Sequence, residues 1–152
     1  MSFLSSLNIS GSALTAQRFR MDIIAQNIAN SNTTRTTEGG PYRRKLVVFE
    51  ERQSQTFGNV FANSLASYNN DTDTDNGGGV RVREVIEDDT PFTPVYNPSH
   101  PDADENGYVM MPNVDTTKEM LDLMAASSAY DANLTALNAI KAMAVSALNI
   151  GR

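Results

Sequence analysis

The two ends of the chain carry their apolar residues in a different rhythm from the middle. Near the start, Phe3, Leu7, Leu14, Met21, Ile24 and Ile28 fall on a series spaced alternately four and three apart, interrupted only by Ser10 and Gln17. That spacing puts one apolar stripe along a helix and predicts a helix over 3–31. No proline occurs before Pro41. Gly11 weakens the first turns by about 1 kcal/mol relative to alanine. Asn30, Asn32 and the threonine-rich run 33–37 suit a helix end and the chain leaving it. At the other end, Met120, Leu123, Tyr130, Leu134, Leu137, Ala144 and Leu148 repeat the same spacing, broken by Ser127 and Lys141. A second helix is predicted over 116–150. Thr116 and Glu119 have the spacing of a capping box, with Pro112 safely upstream. Asp115, Glu119 and Asp122 near the start, with Lys141 and Arg152 toward the end, suit the helix dipole. Leu121, Ala125, Ala132, Ala139 and Met143 give this helix a second apolar side of mostly small residues.

Between the helices the period changes. Leu46-Val47-Val48-Phe49 reads as a short strand, Val80 to Val85 alternates as a half-buried strand does, and Tyr108 to Met111 is a third candidate. Gly39-Gly40-Pro41, Asp75 to Gly79 and Asn97-Pro98 read as turns and loops. The expected fold is α+β. Segments 1–32 and 115–152 supply long N- and C-terminal helices forming a coiled-coil-like helical domain. Segment 33–114 is a small, loop-rich β module inserted between them, with a mobile loop at about 67–79.

Helices of about 30 residues run roughly 45 Å, further than so small a module can cover. Pairing the two helices hides one stripe of each, and the second apolar side of the C-terminal helix then needs another neighbour. The expectation is that the arms are loosely ordered alone and become ordered against other subunits. Periodicity by itself serves equally for an ordinary helical hairpin packed on its own module, or for a homodimer.

Composition narrows the chemistry. The chain has 152 residues, 40% apolar and 20% charged, with a formal charge of −6. That balance disfavours nucleic acid, whose binders carry a basic face. No stretch reaches the roughly 18 apolar residues of a membrane span. The first residues, Met1 to Ser6, lack the basic start and apolar core of a cleavable secretory signal. There is no cysteine and one histidine, His100, so disulfides, thiolate metal sites and multi-histidine sites are excluded. Residues 69–105 hold ten acids and two bases, whereas Arg43-Arg44-Lys45 is basic; both read as solvated surface. Asp102-x-Asp104-x-Asn106-Gly107 begins like a calcium loop, but Asn113 stands where the bidentate acid belongs. Asp71-x-Asp73-x-Asp75 fails in the same way, with Asn76 in place of the glycine and Val82 at the last position. A serine–histidine–acid triad would have to use His100, in a proline-rich turn. Asp88-Asp89, as adjacent exposed acids, lack the burial that tunes one carboxyl to act as an acid. No phosphate loop or nucleophile elbow occurs. No cofactor, metal, nucleic acid or small-molecule substrate is expected, and no enzymatic activity.

Longer motifs point to a family. Ser12-Ala13-Leu14-x-Ala16-Gln17, then Asn27-Ile28-Ala29-Asn30-x-x-Thr33-Thr34, resembles the N-terminal motif of bacterial flagellar rod and hook proteins. Arg35-Thr36 with Gly39-Gly40-Pro41-Tyr42-Arg43-Arg44-Lys45 continues the likeness. So do Tyr96-x-Pro98-x-x-Pro101-x-Ala103-Asp104-x-x-Gly107-Tyr108-Val109-x-x-Pro112-Asn113-Val114, Glu119-Met120, Tyr130-Asp131-Ala132-Asn133 and Ala147-Leu148-x-Ile150-Gly151. Together they are similar to a proximal rod subunit. Asp131 stands where a glutamate is common, and Ser127-Ser128 where a basic residue is frequent. The resemblance implies a self-assembling structural subunit, exported unfolded without signal cleavage, whose terminal helices line a hollow shaft that transmits torque. It implies as partners further copies of the chain, other proximal rod proteins and the export gate at the base of the basal body. The short middle region argues against a hook protein, whose subunits carry large added domains.

Overall fold

The computed structural model describes residues 3–37, 39–53, 61 and 77–149. Helix α1 (Phe3–Ala29) leads through a turn-rich segment into strand β1 (Lys45–Gln53). Strands β2 (Gly77–Glu87), β3 (Thr93–Tyr96) and β4 (Tyr108–Met111) follow, and helix α2 (Thr116–Asn149) closes the order. The fold is α+β. At 1.5 Å per residue the helices are about 40 and 50 Å long. Among the described residues, no helix is long and apolar enough to cross a membrane.

The strands form two separate antiparallel pairs, β1 with β2 and β3 with β4. Lys45 lies opposite Glu87 and Val47 opposite Val85, with register shifts after Val48 and between Glu51 and Gln53. Such bulges add twist to a two-stranded ribbon, and this ribbon packs on α1. Its contact with α1 is close: Ser12 Oγ donates to its own helix at Ile9 O (2.7 Å) and accepts from the β2 amide of Val80 (3.1 Å). Gly79 allows that approach. Its φ is +100°, and a Cβ there would overlap Ser12 Oγ and stand 3.3 Å from Ile9 Cα. Gly77-Gly78-Gly79 is therefore the start of a strand, not the loop its composition predicts. The rest of the predicted mobile loop, 67–76, lies outside the described residues.

The small pair β3–β4 contains a strand that the sequence hides. Thr93-Pro94-Val95-Tyr96 includes a proline, which cannot donate to a ladder and is tolerated at a sheet edge. Tyr96 and Tyr108 face each other at its end, edge to face at 5.3 Å between ring centroids.

Helix α1 packs along α2. The end of α1 meets the beginning of α2, since Asn27 bonds Glu119 and Arg20 reaches Asp122; the pairing is antiparallel. Among the described residues, buried apolar side chains are few: Ala16, Ile23, Ile24, Tyr42, Val109 and Ala126. On α1 the predicted stripe continues through its polar interruptions, with Ser10 buried and Gln17 half-buried. On α2 the inward side is displaced from the predicted one. The stripe that loses exposure is Glu119, Leu123, Ala126, Tyr130, Asn133, Leu137, Ile140 and Ala144, again spaced four and three. Leu123, Tyr130, Leu137 and Ala144 belong to the predicted stripe, while Met120, Leu134 and Leu148 are exposed. The displacement comes from two polar residues, Glu119 and Asn133, that face inward on this helix.

Candidate functional site

Helix α1 ends two residues beyond Asn27, and the chain turns back so that Tyr42 to Lys45 lie beside that last turn. The Tyr42 amide donates to Thr33 O (3.0 Å), which fixes the return. As the chain becomes extended, Tyr42 and Arg44, two residues apart, project to the same side. Asn27 is 1% exposed and uses every hydrogen-bonding valence of its amide. Its Nδ2 donates to Lys45 O (2.9 Å) and to Glu119 Oε2 (3.0 Å). Its Oδ1 accepts from the Tyr42 hydroxyl (3.0 Å) and the Lys45 amide (3.0 Å). One side chain thus joins the end of α1, the start of β1 and the start of α2.

Glu119, also 1% exposed, is the second centre. Its Oε1 accepts from Arg44 Nε at 2.6 Å, with a terminal guanidinium nitrogen at the same distance. Arg44 also pairs with Asp88 Oδ2 and Asp122 Oδ2, each at 3.4 Å. A buried carboxylate is stable only when paired and hydrogen-bonded, and Glu119 is both. This overturns its expected role in a capping box: Asp115 caps α2 instead, its Oδ1 accepting from the Thr117 (2.9 Å) and Lys118 (3.3 Å) amides. Arg44 and Asp88 likewise leave the solvated surface expected for the Arg43-Arg44-Lys45 run and the Asp88-Asp89 pair.

Asn113 completes the cluster. Its Oδ1 accepts from the Arg44 amide (2.8 Å), and its Nδ2 donates to Asp88 O (3.0 Å) and Thr90 O (3.1 Å). It clamps the start of β1 to the end of β2, just ahead of α2. Pro112 beside it is buried.

The electrostatics follow from this geometry. Burial acts against the charge of the Arg44 guanidinium, but its hydrogen bond with Glu119 and the charges of Glu119 and Asp88 outweigh that and hold its pKa above the ordinary value. Burial, then the charges of Glu119 and Glu87, push the Tyr42 phenol up, so it stays a donor to Asn27. The Thr90 hydroxyl and then the Thr90 amide, with help from Arg44, hold the Asp88 carboxyl below its usual range against a smaller effect of burial. The side chains of Asn27, Glu119, Arg44 and Asn113 pair with one another and with backbone groups of distant segments, so the arrangement binds those segments together. Among the described residues, no group of three or more metal-ligating side chains occurs.

The remaining motif residues lie around this hub. Asn30 bonds back to Gln26 O (2.9 Å) and accepts from the Thr33 hydroxyl (3.1 Å). Thr34 and Arg35 reach Asp102, the first by a 2.9 Å hydrogen bond and the second by a 3.8 Å ion pair. Gly39 and Gly40 form an exposed turn, and half-buried Pro41 leads to Tyr42; Ala29 is exposed. Gly107, at φ +76°, makes the turn into Tyr108. Asn133 donates to Ala129 O of its own helix (2.8 Å). Among the helix-stripe residues, Phe3 opens α1, Leu7, Leu14, Met21 and Ile28 are half-buried, and Ile24 is buried. Sequence reasoning missed the parts played by Arg44, Asp88 and Asp122. The available signal was the two-residue spacing of Tyr42 and Arg44 at the onset of a strand.

The hub joins the two segments that comparison with known proteins singles out. The family described as "Flagella basal body rod protein" matches residues 7–35, which contain Asn27. The family described as "Flagellar basal body rod FlgEFG protein C-terminal" matches residues 105–150, which contain Asn113 and Glu119. Both ends thus place the chain among flagellar basal-body rod proteins. Along its whole length it is similar to proteins named flagellar basal-body rod protein FlgC. The relative from Bacillus subtilis (strain 168) is 44% identical, with 100% of both chains covered. That from Borreliella burgdorferi is 42% identical over 99% of this chain and 98% of its own. That from Salmonella typhimurium (strain LT2) is 40% identical with both fully covered. The chain belongs to the FlgC family of flagellar basal-body rod proteins.

Proposed function

We propose that this chain is a structural, non-catalytic subunit of the flagellar proximal rod. It polymerises through its terminal helices into the hollow drive shaft that transmits motor torque and serves as an export channel. The observation that carries the reading is the outer side of α2. Met120, Leu121, Met124, Leu134, Met143, Val145 and Leu148 are exposed along that helix, Leu148 by 78%. Apolar surface of this extent marks a place where another molecule packs, and the small number of buried apolar side chains among the described residues agrees with a fold completed by its neighbours. In this reading 1–32 and 115–152 form the coiled-coil-like assembly domain and 33–114 the module outside it. The inward stripe (Leu123, Tyr130, Leu137 and Ala144 against Leu14, Met21, Ile24 and Ile28) closes the subunit. Met120, Leu134 and Leu148 meet other subunits. The partners are further copies, other proximal rod proteins and the export gate at the basal-body base. The subunit acts in the basal body, in the periplasm or cell wall, and is exported without a cleaved signal.

Leu134→Glu tests this. It sets a charge on exposed surface, where folding and export tolerate it, and where a subunit contact does not. The expected result is an exported subunit, no completed rod and no swimming. Normal motility with Leu134→Glu contradicts the reading.

A further inference from the structure

The stripes by which α1 and α2 meet repeat every seven residues. Leu123, Tyr130, Leu137 and Ala144 recur at that period on α2, as do Ala16 and Ile23 on α1. Sliding one helix along the other by seven residues, about 10 Å, sets apolar positions opposite apolar positions again. Apolar packing alone therefore discriminates weakly between the observed register and its neighbours. We propose that the buried Asn27–Glu119–Arg44 cluster is a register lock: it admits one alignment of the two terminal helices and rejects the heptad-shifted ones.

The geometry on each side of the observed register supports this. If α2 slides so that Ala126 takes the place of Glu119, Asn27 Nδ2 loses its acceptor at 3.0 Å and the Arg44 guanidinium loses the carboxylate at 2.6 Å. If it slides the other way, Glu119 passes buried Ile23 and Ile24 to lie opposite Arg20, one heptad before Asn27. Asn27 Nδ2 again loses its acceptor, the Arg44 guanidinium loses its carboxylate, and the Arg20–Asp122 pair is broken. Only the observed alignment fills all four valences of Asn27 and both oxygens of Glu119. The lock also refers both helices to the β module, because Asn27 holds the Lys45 amide and carbonyl, and Asn113 holds the Arg44 amide. Buried polar groups act in this manner in helical pairs, where one amide fixes alignment at a cost in stability. The inference goes beyond assembly, and its test uses the unassembled chain, so its failure leaves the proposed function standing.

The chain has no cysteine, so a spin-label pair can be introduced cleanly at Arg18→Cys and Ser127→Cys, both exposed helix positions. Electron–electron distance measurement on the full-length chain reads the register. Both labels lie only a few turns from the Asn27–Glu119 contact, so the otherwise unaltered chain is expected to give one narrow distance there even where the outer ends of the arms are loosely ordered. Asn27→Leu, Arg44→Met and Glu119→Met together replace the cluster by apolar side chains of similar size. The combined variant is expected to keep its helical circular dichroism and to show a second distance, from a population shifted along the helix by about 10 Å. Glu119→Gln is the milder probe: its amide sets a donor against the Asn27 donor while keeping shape, and is expected to broaden the distribution. A single narrow distance in the folded triple variant, or in Glu119→Gln where the triple variant does not fold, overturns the proposal, even if the thermal midpoint has changed.

Discussion

Replacing Asn27 by alanine removes four hydrogen bonds at one point. Two run to the Lys45 backbone (2.9 and 3.0 Å), one comes from the Tyr42 hydroxyl (3.0 Å) and one goes to the Glu119 carboxylate (3.0 Å). A neutral hydrogen bond contributes about 1 kcal/mol net, and one to a charged group about 1.5–3 kcal/mol. The four together come to roughly 4–6 kcal/mol. A cleft of about 210 Å³ lined by Arg20, Asn27, Arg44 and Glu119 lies alongside. Water entering from it restores part of the loss, which leaves an expected destabilisation of about 3–4 kcal/mol. In a protein of this size that lowers the thermal midpoint by about 10 °C. Asn27→Asp is expected to cost at least as much, because it keeps the acceptor but loses both donors and opposes the Glu119 carboxylate. Urea denaturation followed by far-ultraviolet circular dichroism measures both, with an unchanged slope confirming that the same surface unfolds. A loss below about 1 kcal/mol for Asn27→Ala would refute the reasoning, since it would mean these four bonds contribute little to the fold.

Gly79→Ala introduces a Cβ that collides with Ser12 Oγ at a positive φ. It is expected to separate the β1–β2 ribbon from α1 and cost about 2 kcal/mol or more, seen as faster amide exchange at Val80. The pH dependence follows from Asp88. Its carboxyl titrates below 3.8 when folded, so the unfolded chain binds more protons as pH falls through that region. Its contribution to stability is complete above about pH 3.8 and is lost as pH falls through the folded pKa. Asp88→Asn is expected to flatten this acid limb in urea midpoints taken from pH 2 to 7; an unaltered limb contradicts the assignment.

The periodic parts of the chain were legible as sequence because their order is local. Both helices, the central parts of β1 and β2, and β4 follow from apolar spacing, and the terminal motifs are visible as runs of residue types, whereas the pairing of β1 with β2 is not. What stayed hidden depends on contacts between distant segments. Glu119 reads as a first-turn acid until Arg44, seventy-five positions earlier, is known to lie against it. The same meeting turns Arg44 from one of three surface cations into a half-buried partner, and Asp88 from one of two surface acids into its counter-ion. The inward side of α2 was misplaced because polar Glu119 and Asn133 lie on it, and apolar periodicity counts only apolar residues. Strand β3 was concealed by Pro94, and the glycines at 77–79 read as a loop because the close approach to Ser12 that requires Gly79 is invisible along the chain.

The central claim is that the outer side of α2 is covered when the subunit takes its place in the rod. Single cysteines at Met124 and Met143, exposed positions in a chain free of native cysteine, test it by maleimide labelling of the purified subunit and of isolated basal bodies. The account predicts rapid labelling of the free subunit and at least tenfold slower labelling at both positions in the basal body, roughly the protection expected when a contact excludes solvent. Equal labelling rates in the two states would contradict it.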